Sequence, residues 1–165
     1  MRRLTLILLV ALVVLPSTAL AAGVATGDGV FELRAANGTF VLSGRGVFWG
    51  QMDKGTMRVT PLDPNEQVAV SGAEKTFKAL DDPTATIYAG TDLHFRATSG
   101  RYRIRFKGAG VDLTAIGIGN AILAGSPLSL DPGDFALDGG KWQPIAWDYK
   151  VEPFGTQPPP PPTTS

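Results

Sequence analysis

Four cations alternate with apolar residues along one segment of the chain, residues 101–107. In an extended strand, successive side chains point to opposite sides, so the four cations would share one side. These are Arg101, Arg103, Arg105 and Lys107. Like charges on one side of a strand repel, and they need acids on adjacent strands or an anionic ligand. We expect Arg96 on a neighbouring strand, which would complete a site for an anionic wall polymer or a membrane surface.

The alternative for these cations is a solvated surface paired with acids such as Asp92 or Asp112. The equivalent segment of the first half, residues 39–43, carries no charge. The internal repeat described below therefore does not by itself require the basic residues.

Tryptophan is the second residue type that suggests binding. Trp142 and Trp147 lie in the proline-containing segment 141–150, which has a loop-like composition. Exposed aromatic rings bind sugars by stacking on the apolar side of a pyranose, so these two residues are candidate glycan contacts. We expect Trp49, inside the apolar segment 47–52, to belong to the core.

Acidic residues allow an enzymatic alternative, since glycoside hydrolysis needs only two suitably spaced carboxylates. Most acids, however, precede Pro or Gly or recur in turn sequences. The recurring pairs are Asp63 with Glu66 and Asp131 with Asp134. We interpret them as turn formers rather than as a calcium site, because two acids per turn supply few ligands.

Composition excludes several other classes of site. The chain has 165 residues, no Cys and one histidine, His94, so thiolate chemistry and sites with two imidazoles are excluded within one chain. Fifteen basic residues balance fifteen acidic ones, which argues against nucleic-acid binding by bulk charge. No phosphate-binding loop or serine-nucleophile motif is present. We predict no catalytic residue, no metal and no cofactor.

The N-terminus is typical of a secretory signal peptide. Arg2 and Arg3 precede a run of 12 residues, 4–15, that is apolar except for Thr5. That run is shorter than the roughly 20 residues that span a bilayer. Small residues at Ala19 and Ala21 predict cleavage near Ala21, although retention as an anchor is the alternative. Removing residues 1–21 leaves 13 basic and 15 acidic residues, a net charge of −2.

The C-terminus, residues 155–165, contains five consecutive prolines and is predicted to be a disordered tail. Proline removes the backbone donor and favours the extended polyproline II conformation. Such a tail could be a wall-spanning spacer, a segment glycosylated on its threonines, a ligand for a proline-binding groove or an unpartnered end. The predicted folded domain is therefore residues 22–154.

Apolar and polar residues alternate with a period of two in short segments that are separated by Gly or Pro. This pattern predicts an all-β domain of many short strands. Asn37-Gly38 indicates a hairpin, and Lys54-Gly55 and Ser99-Gly100 indicate turns. The one modest helix candidate is segment 73–80. We predict an antiparallel sandwich or small barrel, with a short β-solenoid as the alternative.

An internal repeat underlies that fold prediction. Segments 33–42 and 95–104 match as Leu-Arg-Ala-x-x-Gly-x-Phe-x-Leu and Phe-Arg-Ala-x-x-Gly-x-Tyr-x-Ile. Gly44-x-Gly46 likewise matches Gly108-x-Gly110. These matches predict two tandem similar halves, about 31–80 and 93–145. They also predict that Phe40, Leu42, Tyr102 and Ile104 all point into the core. Together these features predict a secreted or wall-associated, non-enzymatic domain for adhesion, wall association or scaffolding. The alternative is a carbohydrate-binding module or a glycan-active enzyme.

Overall fold

The computed structural model of this chain describes residues 27–64 and 66–156. The seven regular elements that these residues form are all β-strands, so the all-β prediction is confirmed. The predicted signal peptide, residues 1–21, and residues 157–165 of the predicted tail lie outside the described residues. The described part of the chain contains no helix with the length and apolar character needed to cross a membrane.

The seven strands form one antiparallel sheet that is not closed into a barrel. In chain order they are β1 (Gly29–Pro61), β2 (Ala69–Lys78), β3 (Thr86–Ala97), β4 (Arg101–Gly125), β5 (Asp134–Leu137), β6 (Gln143–Pro144) and β7 (Lys150–Phe154). They are arranged in the order β2-β3-β1-β4-β7. β5 pairs with both β1 and β6, outside that order.

Two strands are much longer than the sequence patterns predict. β1 has 33 residues and β4 has 25. The expected hairpin at Asn37-Gly38 and the expected turn at Lys54-Gly55 were wrong, because both lie inside β1. Gly38 and Gly55 adopt φ values of 150° and 146°, which glycine allows without strain, so the strand continues through both positions. Ser99-Gly100 does separate β3 from β4.

The two long strands pair with each other twice. Residues 38–45 of β1 pair along one edge with 101–108 of β4 and along the other edge with 118–125. Residues 46–61 continue along the second register and pair with 102–117. The double pairing ends at Gly46, which faces Gly117. A Cβ on either glycine would collide with the backbone of the other strand. This close approach lets β1 and β4 enclose a shared core.

That core is one continuous cluster of alternating residues from the strands. Phe40, Leu42, Tyr102 and Ile104 are each no more than 2% exposed, as their alternation predicts. The rings of Phe48 and Tyr102 meet edge to face, with centroids 6.1 Å apart. Phe48 therefore connects the middle of β1 with the beginning of β4.

The helix expected at residues 73–80 is wrong. Residues 73–78 belong to β2 and pair with β3. Phe77 is 51% exposed and Leu80 is fully exposed, so the side that suggested an amphipathic helix does not face the core. Pairing with the edge of β3 gives this segment backbone partners, and such tertiary context overrides a weak local preference.

Candidate functional site

The basic segment predicted from the sequence forms the first part of β4. Its four cations are exposed, and the intervening Tyr102, Ile104 and Phe106 are buried. The paired strands add Arg45 opposite Arg101, and Arg58 opposite Arg105. We use the term basic face for the outer surface formed by Arg45, Arg58, Arg101, Arg103, Arg105 and Lys107.

The centre of the basic face has uncharged or basic neighbours. Across the ladder, the neighbours of Arg103, Arg105 and Lys107 are Thr39, Val41, Ser43, Thr56, Arg58 and Thr60. None of these six is acidic. Among the described residues, no carboxylate oxygen lies within 4.0 Å of the side-chain nitrogens of Arg103, Arg105 or Lys107. Asp92 and Asp112, named above as possible partners, instead contact His94 and Gln51.

Two cations of the basic face, Arg101 and Arg58, are paired with acids, and Arg58 lies directly across the ladder from Arg105. Arg101 Nε lies 3.7 Å from an Asp63 oxygen, and both groups are exposed. Arg58 donates to both oxygens of Asp81, at 3.0 and 2.8 Å, and lies 3.4 Å from Asp82. The hydrogen bond from Arg58 lowers the pKa of Asp81, and a hydrogen bond from Thr84 lowers the pKa of Asp82. The bond to Asp81 in turn raises the pKa of Arg58.

A groove of about 570 Å³ crosses the basic face. Three cations, Arg58, Arg103 and Arg105, line this groove together with one acid, Asp82. Its apolar contacts include Ile122 and Tyr149. Sequence reasoning missed Arg58 and Tyr149 because neither lies in the basic segment. Only the pairing of β1 with β4 brings Arg58 beside Arg105, and such long-range register has no local signal.

Arg96 does not belong to the basic face, contrary to expectation. It lies on β3, where its neighbours are Trp49 of β1 and Ala69 of β2. β1 separates β3 from β4, so Arg96 is two strands from the segment it was expected to complete.

Trp49 was expected in the core, and this prediction was wrong. Phe48 is fully buried, so alternation places Trp49 on the outer side of β1, where it is 38% exposed. Trp142 is 39% exposed and lines the same groove as Trp49. Trp147, at 61% exposed, is not among the lining residues. The structure thus brings Trp142 together with Trp49 rather than with Trp147.

We use the term tryptophan groove for this second site, which has a volume of about 420 Å³. Its principal side chains are Glu32, Trp49, Gln51, Arg96, Asp112 and Trp142. Arg34 contacts the Trp142 ring, with its guanidinium carbon 4.4 Å from the ring centroid. Arg34 also donates to Asp134 at 2.7 Å. Trp142 is therefore braced by a cation that is itself held by an acid.

Three acids of the recurring turns bind other groups of the protein, one within its own turn and two on distant strands. Asp131 accepts a 2.9 Å hydrogen bond from the Gly133 backbone N–H, and Glu66 accepts one of 2.7 Å from that of Arg101. Asp134 pairs with Arg34. In the part of the chain that the structure describes, no group of three or more acidic or histidine side chains is arranged to hold a metal ion.

His94 is half-exposed at the edge of the tryptophan groove. Its Nε2 lies 3.1 Å from an Asp92 oxygen. Ser71 of β2 and Gln51 of β1 are its neighbours across the ladder.

Comparison of this chain with protein-family models, with curated proteins and with solved structures gives no match, so its function is inferred from these two surfaces.

Proposed function

We propose that this protein is a secreted, wall-associated and non-enzymatic binding domain that holds an anionic wall polymer on its basic face. The observation that carries the proposal is that three cations of that face, Arg103, Arg105 and Lys107, have no carboxylate oxygen within 4.0 Å among the described residues. The secretory pattern of residues 1–21 and the proline run of the tail support an extracytoplasmic location. The chain beyond the predicted leader has a net charge of −2, so any attraction for anions comes from local clustering and not from bulk charge.

Electrostatics favours an anion at this place. Arg45 lies directly across the ladder from Arg101, and Arg103 and Arg105 project from the same strand. Like charges directly opposite one another destabilise a sheet, and a bound polyanion relieves that repulsion. The proposal therefore predicts that the ligand stabilises the folded domain as well as binding to it.

A polymer fits this site better than a membrane does. The basic face is crossed by a groove in which Arg103, Arg105 and Tyr149 line a concave space. A chain can enter such a groove and contact several cations in succession. A flat bilayer surface reaches mainly the rim. We therefore favour a polymer, and binding to lipid headgroups becomes an outcome of the test.

We also propose that the domain is a sandwich of two tandem similar halves, residues 31–80 and 93–145. Gly46 and Gly110, which correspond in the two halves, both have positive φ, 145° and 63°. Residues 29–33 pair with 113–117 of the second half, and residues 93–97 pair with 48–52 of the first. This reciprocal pairing supports two interlocked halves over a stack of solenoid coils.

The test is retention on immobilised poly(glycerol phosphate) at 0.1 M and 1 M NaCl. Over this range the screening length falls from about 10 Å to about 3 Å. The variant R103Q/R105Q/K107Q is compared with K75Q/K78Q/K141Q, which removes the same charge from exposed positions outside the basic face. We expect wild type and the control to bind at low salt and dissociate at high salt, and the basic-face variant not to bind.

The melting temperature of R103Q/R105Q/K107Q should stay near that of wild type, because exposed charges contribute only about 0–1 kcal/mol each. Equal losses in the two variants would mean that total charge governs binding. Retention on phosphatidylglycerol vesicles without retention on the polymer would mean that the basic face binds a membrane surface and not a polymer. Either outcome overturns the proposal.

A further inference from the structure

We infer that the tryptophan groove is a second binding site, which takes an uncharged sugar chain by stacking pyranose rings on Trp49 and Trp142. This inference is independent of the proposed role of the basic face, because the two sites use different residues and different forces. It rests on the arrangement of the groove floor, the bracing of Trp142, and the charge balance within the groove.

The floor is a row of outward side chains across adjacent strands. Glu32 lies beside Thr114, Thr114 beside Trp49, and Trp49 beside Arg96. Neighbouring strands are about 4.8 Å apart, so hydrogen-bonding groups stand at both sides of the Trp49 ring. A pyranose ring has the same distribution of groups, with an apolar face and hydroxyls around its rim. Stacking on Trp49 would bring those hydroxyls to Thr114 and Arg96.

Trp142 forms the second aromatic surface and is held in position. Its contact with Arg34 is a cation–π interaction, and the ion pair between Arg34 and Asp134 fixes the cation. Ordering a flexible side chain at the moment of binding costs affinity, and a ring already held in place avoids that cost. An exposed tryptophan braced in this way is suited to ligand contact.

The charges of the groove favour an uncharged ligand. Glu32 and Asp112 are acidic and Arg96 is basic, so the groove attracts neither polyanions nor polycations strongly. Asp112 accepts a hydrogen bond of 2.7 Å from the Ala35 N–H and one of 3.3 Å from Gln51. The Gln51 amide retains a second N–H and its oxygen, which can serve sugar hydroxyls.

The same bonds hold Asp112 in place, because both of its oxygens accept hydrogen bonds from the protein. This carboxylate thereby supports the positions of Ala35 and Gln51. The groove volume of about 420 Å³ is in the range of sites that hold small ligands.

The test uses the exported full chain and three uncharged probes, cellohexaose, mannohexaose and N-acetylated chitohexaose, followed by calorimetry and tryptophan fluorescence. W49A, W142A and the conservative W142F are compared with W147A, which removes an exposed tryptophan outside the groove. We expect at least one probe to bind. W49A and W142A should then weaken binding at least tenfold, W142F less, and W147A not at all.

Trp49 and Trp142 are 38% and 39% exposed, so W49A and W142A lose part of a buried surface and should melt somewhat below wild type while staying folded, which is measured in parallel. If W49A fails to fold, W142A and W142F carry the test. No binding of any probe at millimolar concentration overturns the inference, and so does equal weakening by W147A. Loss of sugar binding in R103Q/R105Q/K107Q would assign the sugar to the basic face instead.

Discussion

The basic face and the tryptophan groove occupy the outer side of one sheet and handle charge in opposite ways. At the centre of the basic face, Arg103, Arg105 and Lys107 have no acidic neighbour across the ladder. In the groove, Arg34 is paired with Asp134, and Asp112 accepts two hydrogen bonds. On the proposals above, binding to the first surface should therefore weaken with salt, and binding in the second should be nearly independent of salt.

The two regions share their support, although they differ in chemistry. Phe48 lies beneath the groove, next to Trp49, and its ring packs against Tyr102 beneath the basic face. The chain passes from one region to the other at Gly46. Changes to this shared support should affect both surfaces together, and changes to the outer side chains should separate them.

The largest effect is expected from F48A. Replacing a fully buried Phe with Ala removes packing and leaves a cavity, at a typical cost of about 3–5 kcal/mol. Because one core supports both regions, tryptophan fluorescence and far-ultraviolet circular dichroism should report a single transition at a lower temperature. Two separate transitions would show that the two regions unfold independently and do not share one core.

G46A should have the next largest effect. Gly46 has a φ of 145°, and a Cβ there would collide with the Ile116 carbonyl oxygen. Strain of this kind costs roughly 1–3 kcal/mol before the collision is added. G139A is the matched control, because Gly139 also has positive φ but open space around it. Chemical denaturation should show a clearly larger loss for G46A, and equal losses would mean that no close strand approach exists.

Sequence reasoning predicted the periodic features of this molecule and missed the long-range ones. Alternation correctly assigned Phe40, Leu42, Tyr102 and Ile104 to the core. It also placed the four cations of β4 on the opposite, exposed side of the strand. It failed where a strand continues through a glycine that is typical of turns, as at Gly38 and Gly55. Trp49 was misassigned by hydrophobicity, although its alternation with a buried Phe48 contained the correct signal. The partners of Arg58 and Arg96 depend on strand order, which has no local pattern.

D81N/D82N should sharpen the electrostatic side of the comparison. These acids bind Arg58, so their removal frees one more cation at the groove of the basic face. We expect binding to poly(glycerol phosphate) to strengthen several-fold, with a steeper dependence on salt. Sugar binding in the tryptophan groove should not change. Unchanged polymer affinity would show that Arg58 takes no part in binding.

R34Q should produce a smaller change, confined to the tryptophan groove. The variant removes both the cation over Trp142 and the ion pair with Asp134. An exposed cation–π contact contributes about 0.5–1 kcal/mol, which corresponds to a change of roughly two- to fivefold in sugar affinity. Calorimetry with the sugar that binds wild type measures this change. If polymer binding weakened instead, the division of the outer surface into two sites would be wrong.

The smallest effect is a pH dependence located in the basic face. Asp81 and Asp82 have lowered pKa values, chiefly because Arg58 and Thr84, respectively, donate hydrogen bonds to them. A carboxyl whose folded pKa is depressed stabilises the fold above its unfolded pKa of about 3.9, and this contribution is lost as the pH falls through the folded value. The melting temperature of wild type should therefore exceed that of D81N/D82N slightly at pH 7. The difference should shrink as the pH falls from about 5 to about 2, because wild type then loses the same charges that the variant lacks. A difference that stays constant over this range would mean that the two carboxylates are not held by Arg58 and Thr84.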